Sequence, residues 1–395
     1  MSAPQVPLSV LDLAPISAGG SAIAALRNSI DLARRVEAAG YRRHWVAEHH
    51  FTPGVASSAP AVLLGQLAAA TDHLRVGSAA VQTGHQTAVS IVEQFGVLDA
   101  LFPGRVDLGL GRSGQRQAEA VADRDRPTTP RPVGPRPERA SRVVDGLLLP
   151  KPFDPTHLLS SRRQRHQAAL LHQPGARTPD YDDQVGQILD LVGGTLRSPD
   201  GDPLRTVPAI GPGFEVWVFG SSAGPSAETA GRRGLPFGAN YHVSPSTVLE
   251  AIDAYRRAFR PSAHVAEPYV AVSADVLVAD DPETARHLAT PYGLWVRSIR
   301  RGLGAIAYPT PEDAARHRWT EQDRDLVADR LDTRFVGTAD EVVDGLDTLV
   351  RVTGADELVV TTITHDHADR VRSHDLLAEA WAGARSPAVR ARVSA

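Results

Sequence analysis

The sequence predicts a closed (β/α)8 barrel of the TIM type in a single α/β domain. Three observations carry that expectation: about eight short apolar strands, amphipathic helices between them, and 395 residues with 42% apolar composition. Strands alternating with helical segments imply a parallel sheet, and closing it buries both sheet faces without leaving an edge.

Leu8 to Leu13 forms the first apolar run, broken by Ala14-Pro15 and Gly19-Gly20. From Ser21, a residue suited to an N-cap, Ile23, Leu26, Ile30, Ala33 and Val36 recur at helical spacing until Gly40. Strand Tyr41–Ala47, helix Ala59–Ala70, strand Leu74–Val81, helix Ser90–Leu101 and strand Val106–Leu110 continue the rhythm. A Pro- and Arg-rich stretch then interrupts it, and residues 116–212 read as an insertion or lid within the barrel, with mobile loops from Lys151 to Pro212. Alternation resumes with strand Glu215–Phe219, helix Ser226–Arg233, strand Pro236–Ala239, helix Pro245–Phe259 and strand Tyr269–Leu277. After further helical material, strand Leu358–Thr362 and helix Ala368–Ala384 close the pattern.

Net charge is −4, with 42 basic residues set against 46 acidic ones, so no uncompensated positive field exists to hold a nucleic-acid backbone. Cys is absent, which excludes disulfides, thiolate nucleophiles and thiolate metal sites. No apolar run approaches the roughly 20 residues of a membrane span, and no signal-peptide pattern opens the chain, so a soluble, cytoplasmic protein is expected.

Barrels of this kind place their chemistry in the loops after the strands. Glu48-His49-His50 follows the second strand; adjacent histidines on extended backbone point to opposite sides, so one faces a central pocket and the two are poor joint metal ligands. Small residues end the third strand at Gly77 to Ala80 and allow a flat ligand to approach. Arg112, behind Gly111, offers a two-pronged donor to a phosphate. Gly220, Ser221 and Ser222, with Ser226 at a helix start, put hydroxyls beside free backbone amides, the ingredients of an anion site. Arg112 and this serine cluster together point to a phosphate-bearing cofactor. Gly109, Gly111 and Gly114 match a dinucleotide-binding string, but neither the helix nor the acidic strand end that it requires follows. His365-Asp-His367 reads as a solvated helix start, and no metal site is expected.

The runs LDLAP (Leu11 to Pro15), AEHHF (Ala47 to Phe51), VGSAA (Val76 to Ala80), GRVDLGLGR (Gly104 to Arg112) and GLP (Gly234 to Pro236) resemble the bacterial luciferase-like family of flavin-dependent oxidoreductases. The resemblance is close over residues 7–115, looser over 213–262 and 335–385, and lost from Arg116 to Pro212. It implies a monooxygenase that uses reduced FMN (FMNH2) and O2 on a small organic substrate, with a separate flavin reductase supplying the cofactor in a two-component system. By the same resemblance His49, with His50 beside it, handles protons around a flavin C4a-peroxide. Ala80 contacts the isoalloxazine, Leu13 and Ala79 also bind the cofactor, and the Ala79–Ala80 peptide is expected to be cis. Arg112, Arg139, Gly220, Ser221, Ser222 and Ser226 hold the phosphate. A homodimer is also implied, consistent with the small residues Gly65, Ala68, Ala69 and Ala70 on one helix. Competing readings are an F420-dependent hydride-transfer enzyme, a non-catalytic flavin-binding protein and a metal-dependent barrel hydrolase.

Overall fold

The computed structural model describes residues 6–113, 140–155, 158, 162–173, 175–208, 211 and 213–383. The first half of the barrel consists of β1 (Leu8–Asp12), α1 (Ala22–Ala38), β2 (Arg43–Val46), α2 (Pro60–Ala69), β3 (Arg75–Ser78), the two-residue β4 (Val81–Gln82), α3 (Ala88–Leu101) and β5 (Val106–Gly111). An antiparallel hairpin of β6 (Arg142–Val144) and β7 (Leu147–Leu149) follows, then α4 (Arg162–Leu171) and α5 (Tyr181–Val192). The second half comprises β8 (Glu215–Gly220), α6 (Pro225–Arg232), β9 (Phe237–Asn240), α7 (Val248–Ala258) and β10 (Val270–Val278). It then runs through α8 (Pro282–Ala289), α9 (Tyr292–Arg300), α10 (Pro311–Ala315), α11 (Glu321–Leu331), β11 (Phe335–Gly337), α12 (Ala339–Thr353), β12 (Glu357–Thr361) and α13 (His367–Gly383).

Eight parallel strands close in the order β1-β2-β3-β5-β8-β9-β10-β12 and back to β1. β4 extends the rim beside β5, and β11 lies along the end of β10. Helix boundaries follow local chemistry. The Ser21 side chain accepts from the Ala24 amide at the start of α1, Thr338 and Glu341 make a reciprocal capping box on α12, and Gly354 ends that helix at φ +60°, a conformation that favours glycine.

Two apolar layers result. The outer one packs the helices against the barrel through Leu32, Val36, Leu64, Phe95, Ile252 and Leu346. The inner one fills the barrel with Leu11, Trp45, Trp217, Ala271 and Val359. Trp45 meets Trp217 edge-on with ring centroids 5.3 Å apart, and Phe219 at 5.2 Å. Gly77 makes room for the indole, because a Cβ there would lie 2.5 Å from Trp45. Beneath these rings Arg43, 1% exposed, donates to Asp107 (3.0 Å), Glu357 (2.6 Å) and Glu215 (2.9 Å). Burial opposes its charge, yet the three carboxylates raise its pKa above the ordinary arginine value.

The long central segment holds more order than mobile loops. Asp180 caps α5 by accepting from the amides of Asp182 and Asp183, and Tyr181, Val185, Ile188 and Leu191 bury one face against α3. α5 is therefore one of the helices that wrap the barrel. α4 lies at the mouth of the barrel, where His172 just beyond it places Nδ1 2.8 Å from the Ala168 carbonyl and Nε2 3.0 Å from the Gly84 carbonyl. No helix among the described residues is long and apolar enough to cross a membrane.

Candidate active site

The C-terminal ends of the barrel strands surround a cavity of about 600 Å3. Leu13, His49, His50, Ala79, Ala80, Arg112, Gly220, Ser221, Ser222 and Ser226 all line it, so every expected site residue among those described meets in one place. Arg139 lies outside the described residues. The Ala79–Ala80 peptide is cis, as expected.

One pole of the cavity has the groups an anion needs. Arg112 follows β5, and the Ser221–Ser222 turn leads from β8 into α6. Gly224 occupies the N-cap of α6 without a capping side chain, so the first amides of the helix receive no side-chain acceptor there. Thr247 steadies the turn by donating its hydroxyl to the Ser221 carbonyl at 2.6 Å. Tyr181, buried behind this pole, packs near Ser226 and Arg112, and burial raises its hydroxyl pKa.

The middle of the cavity is apolar, with Leu11, Leu13, Ala47, Val359 and Ile363 on its barrel side and Trp295 and Ile299 from α9 opposite. His49 lies in this wall with Nδ1 shut off from solvent and no hydrogen-bond partner among the described residues. Burial pushes its pKa down to about 4, against the pull of Glu48 and with the help of His50. His49 is therefore a neutral imidazole near pH 7, able to accept a proton.

His50 lines the cavity as well as His49, against the expectation that only one of the pair would, because the chain bends there instead of continuing as extended strand. The His50 Nε2 is 2.7 Å from Oε1 of Glu48, which His85 approaches at 3.1 Å. Glu48 also accepts from the Gln82 amide at 3.0 Å, and although burial works against its charge, these partners lower its pKa.

Several cavity residues escaped the sequence reading. His242, just after β9, places Nδ1 2.6 Å from the Ser273 hydroxyl, and burial pushes its pKa down to about 4. The strand-end rule that found Ser221 would also have found it. Asp275 on β10 accepts from the buried Tyr292 hydroxyl, and Arg330 from α11 donates to both. No local signal announces this trio, because its members come from three separate helices and strands.

The buried histidines set a pH dependence. His49 and His242 at about 4, and His374 at about 3, lie below an unfolded value near 6.5. Between about pH 4 and about pH 6.5 the unfolded chain binds more protons than the fold, so stability falls as pH falls through that window. The urea midpoint is expected to be lower near pH 5 than near pH 7.5. An unchanged midpoint would show that these imidazoles are solvated.

Comparison with known proteins adds to this geometry. The family model described as luciferase-like monooxygenase matches residues 6–133 and 164–357. A luciferase-like monooxygenase of Escherichia coli is 32% identical over 372 residues, spanning 94% of this chain and 96% of its own length. The crystal structure of apo-MsnO8 superposes with a TM-score of 0.71 at 28% identity, over 96% of this chain and 98% of its own. The oxygenating constituent of 3,6-diketocamphane monooxygenase from Pseudomonas putida, solved with FMN, shares the fold at a TM-score of 0.64, 18% identity, and 96% and 98% coverage. With the barrel, the strand-end cavity and these matches together, the chain belongs to the luciferase-like monooxygenase family and is an oxidoreductase enzyme.

Proposed function

We propose that this enzyme binds reduced FMN in the barrel cavity and uses it with O2 to oxygenate a small organic substrate. The observation that carries the reading is the polarity of the cavity. Arg112, Ser221, Ser222, Ser226 and the uncapped start of α6 gather at one pole, while Leu13, Ala79, Ala80 and the orphaned Nδ1 of His49 line its apolar middle. A phosphate-tailed flat ring system fits that distribution, and about 600 Å3 lies within the range of cofactor sites.

In this reading the cationic pole holds the phosphate and the small side chains at Ala79 and Ala80 let the ring lie against the backbone. The reduced flavin supplies the electrons that activate O2. His49, neutral and next to the ring, takes or returns a proton as the substrate reacts, and the apolar wall with α4 above it excludes water.

In this reading a flavin reductase supplies the cofactor from outside, since Gly111, within the dinucleotide-like glycine string, and Arg112 beside it line the flavin cavity, while the last glycine of that string, Gly114, lies outside the described residues. The expected homodimer finds support in Val62, Val97 and Leu101, exposed apolar side chains on α2 and α3. Gly65 faces Leu98 of the same chain and Ala68 is buried, so these two small residues of α2 serve internal packing, while Ala69 is exposed.

Oxygen uptake tests this function. Purified protein is mixed anaerobically with photoreduced FMN or reduced F420 and then exposed to O2. Binding of FMN with altered oxygen uptake is expected. Preference for F420 without oxygen consumption, or turnover of the protein alone with NADH, would overturn the corresponding part of the proposal.

A further inference from the structure

We propose that Glu48, His50 and His85 form a binding site for a divalent first-row transition-metal ion such as Zn2+, Fe2+ or Co2+. The ligand atoms of the three residues lie within 4.8 Å of one another. Both imidazole Nε2 atoms approach the same carboxylate oxygen, Oε1 of Glu48, at 2.7 and 3.1 Å. Two imidazoles and one carboxylate form a donor set that suits borderline ions of this class and not Ca2+ or Mg2+.

The site is built from two anchored segments. Glu48 and His50 belong to the segment leaving β2, where the Glu48 carbonyl accepts from the Gln82 side-chain amide at 2.8 Å. His85 ends the short 3-10 turn of residues 83–85, which is fixed from several sides. Gln184 donates to the Thr83 carbonyl at 3.1 Å, Thr83 donates to the Gly111 carbonyl at 3.1 Å, and His172 reaches the Gly84 carbonyl at 3.0 Å. The second carboxylate oxygen, Oε2, accepts from the Gln82 amide at 3.0 Å, the kind of outer contact that orients a ligating carboxylate.

Metal entry replaces two carboxylate–imidazole hydrogen bonds. Each Nε2 then gives a lone pair to the ion, and the proton it carried leaves to Nδ1 or to solvent. Glu48 and His50 line the cavity, so the remaining coordination positions open onto it. An oxygen donor from water or from a small molecule in the cavity completes the shell. The expectation drawn from sequence, that adjacent His49 and His50 make poor joint ligands, still holds. His50 finds its partner 35 positions away at His85. The other histidine pair is occupied elsewhere, with His365 against the Tyr308 carbonyl at 3.2 Å and His367 against Asp31 at 2.9 Å.

The site needs no flavin, so its test is independent of the function proposed above. Full-length protein free of flavin is titrated with Co2+ and followed by the visible d–d absorption of low-coordinate cobalt, then challenged with Zn2+. A single saturable site, displaced by Zn2+ and lost in Glu48→Gln, His50→Gln and His85→Asn, is the expected result, with His365→Gln binding as the parent does. X-ray absorption of the Zn2+-loaded parent is expected to show two imidazole ligands, a readout that stands even where a variant fails to fold. No saturable binding, oxygen-only coordination, or equal binding by folded variants would overturn the site and leave the three residues as a hydrogen-bonded cluster.

Discussion

Replacing Arg43 with methionine is expected to destabilise the protein by about 3–5 kcal/mol, the cost of breaking a buried ion cluster by removing one partner. Asp107 and Glu357 are fully buried on β5 and β12, and both depend on the Arg43 guanidinium for part of their compensation. Arg75 still reaches Asp107 in the variant, but nothing else cationic among the described contacts reaches Glu357. Equilibrium urea unfolding of parent and variant measures the difference. A loss below about 1 kcal/mol, the range of exposed ion pairs, would mean that water enters the base of the barrel. The cluster lies under Trp217, with the guanidinium 5.0 Å from the indole centroid, so the variant also tests how the lower barrel supports the cavity above.

Arg112→Ala is the second large effect, this time on binding. Losing a charged donor to a phosphate costs about 1.5–3 kcal/mol, so the affinity for reduced FMN is expected to fall roughly 10- to 150-fold. Riboflavin, which has no phosphate, provides the control, and its affinity is expected to change little. Equal losses for both ligands would mean that Arg112 supports the wall and does not hold the phosphate. Ser221→Ala removes a neutral hydroxyl and is expected to cost less, about 0.5–1.5 kcal/mol.

Much of this architecture could be read from the chain because the relevant signals are local. Ser21 before a 3.6-residue apolar period marks α1, and the apolar run Tyr269 to Leu277 marks a strand that the structure places at Val270–Val278, buried along its length. The strand-end rule then gathers Arg112, Ser221 and His49 without any knowledge of packing. α5 was missed for a physical reason. Its apolar residues Tyr181, Val185, Ile188 and Leu191 have helical spacing, but they lie between turn-rich, polar stretches that hide a single amphipathic helix. The cavity wall from α9 and the Asp275–Tyr292–Arg330 trio depends on how residues 282–331 fold back over the barrel mouth. That arrangement is tertiary, and no spacing rule encodes it. The resemblance to a family, rather than periodicity, led to the cis peptide at Ala79–Ala80 and the role given to His49.

The most direct test of the central claim is an anaerobic titration comparing reduced FMN with reduced riboflavin on the same protein. A cavity with a phosphate pole at Arg112 and Ser221 predicts that FMN binds roughly 100-fold tighter or more, the combined effect of charge-assisted hydrogen bonds. Equal affinities, or no binding of either, would contradict the assignment of that pole and with it the flavin reading of the cavity.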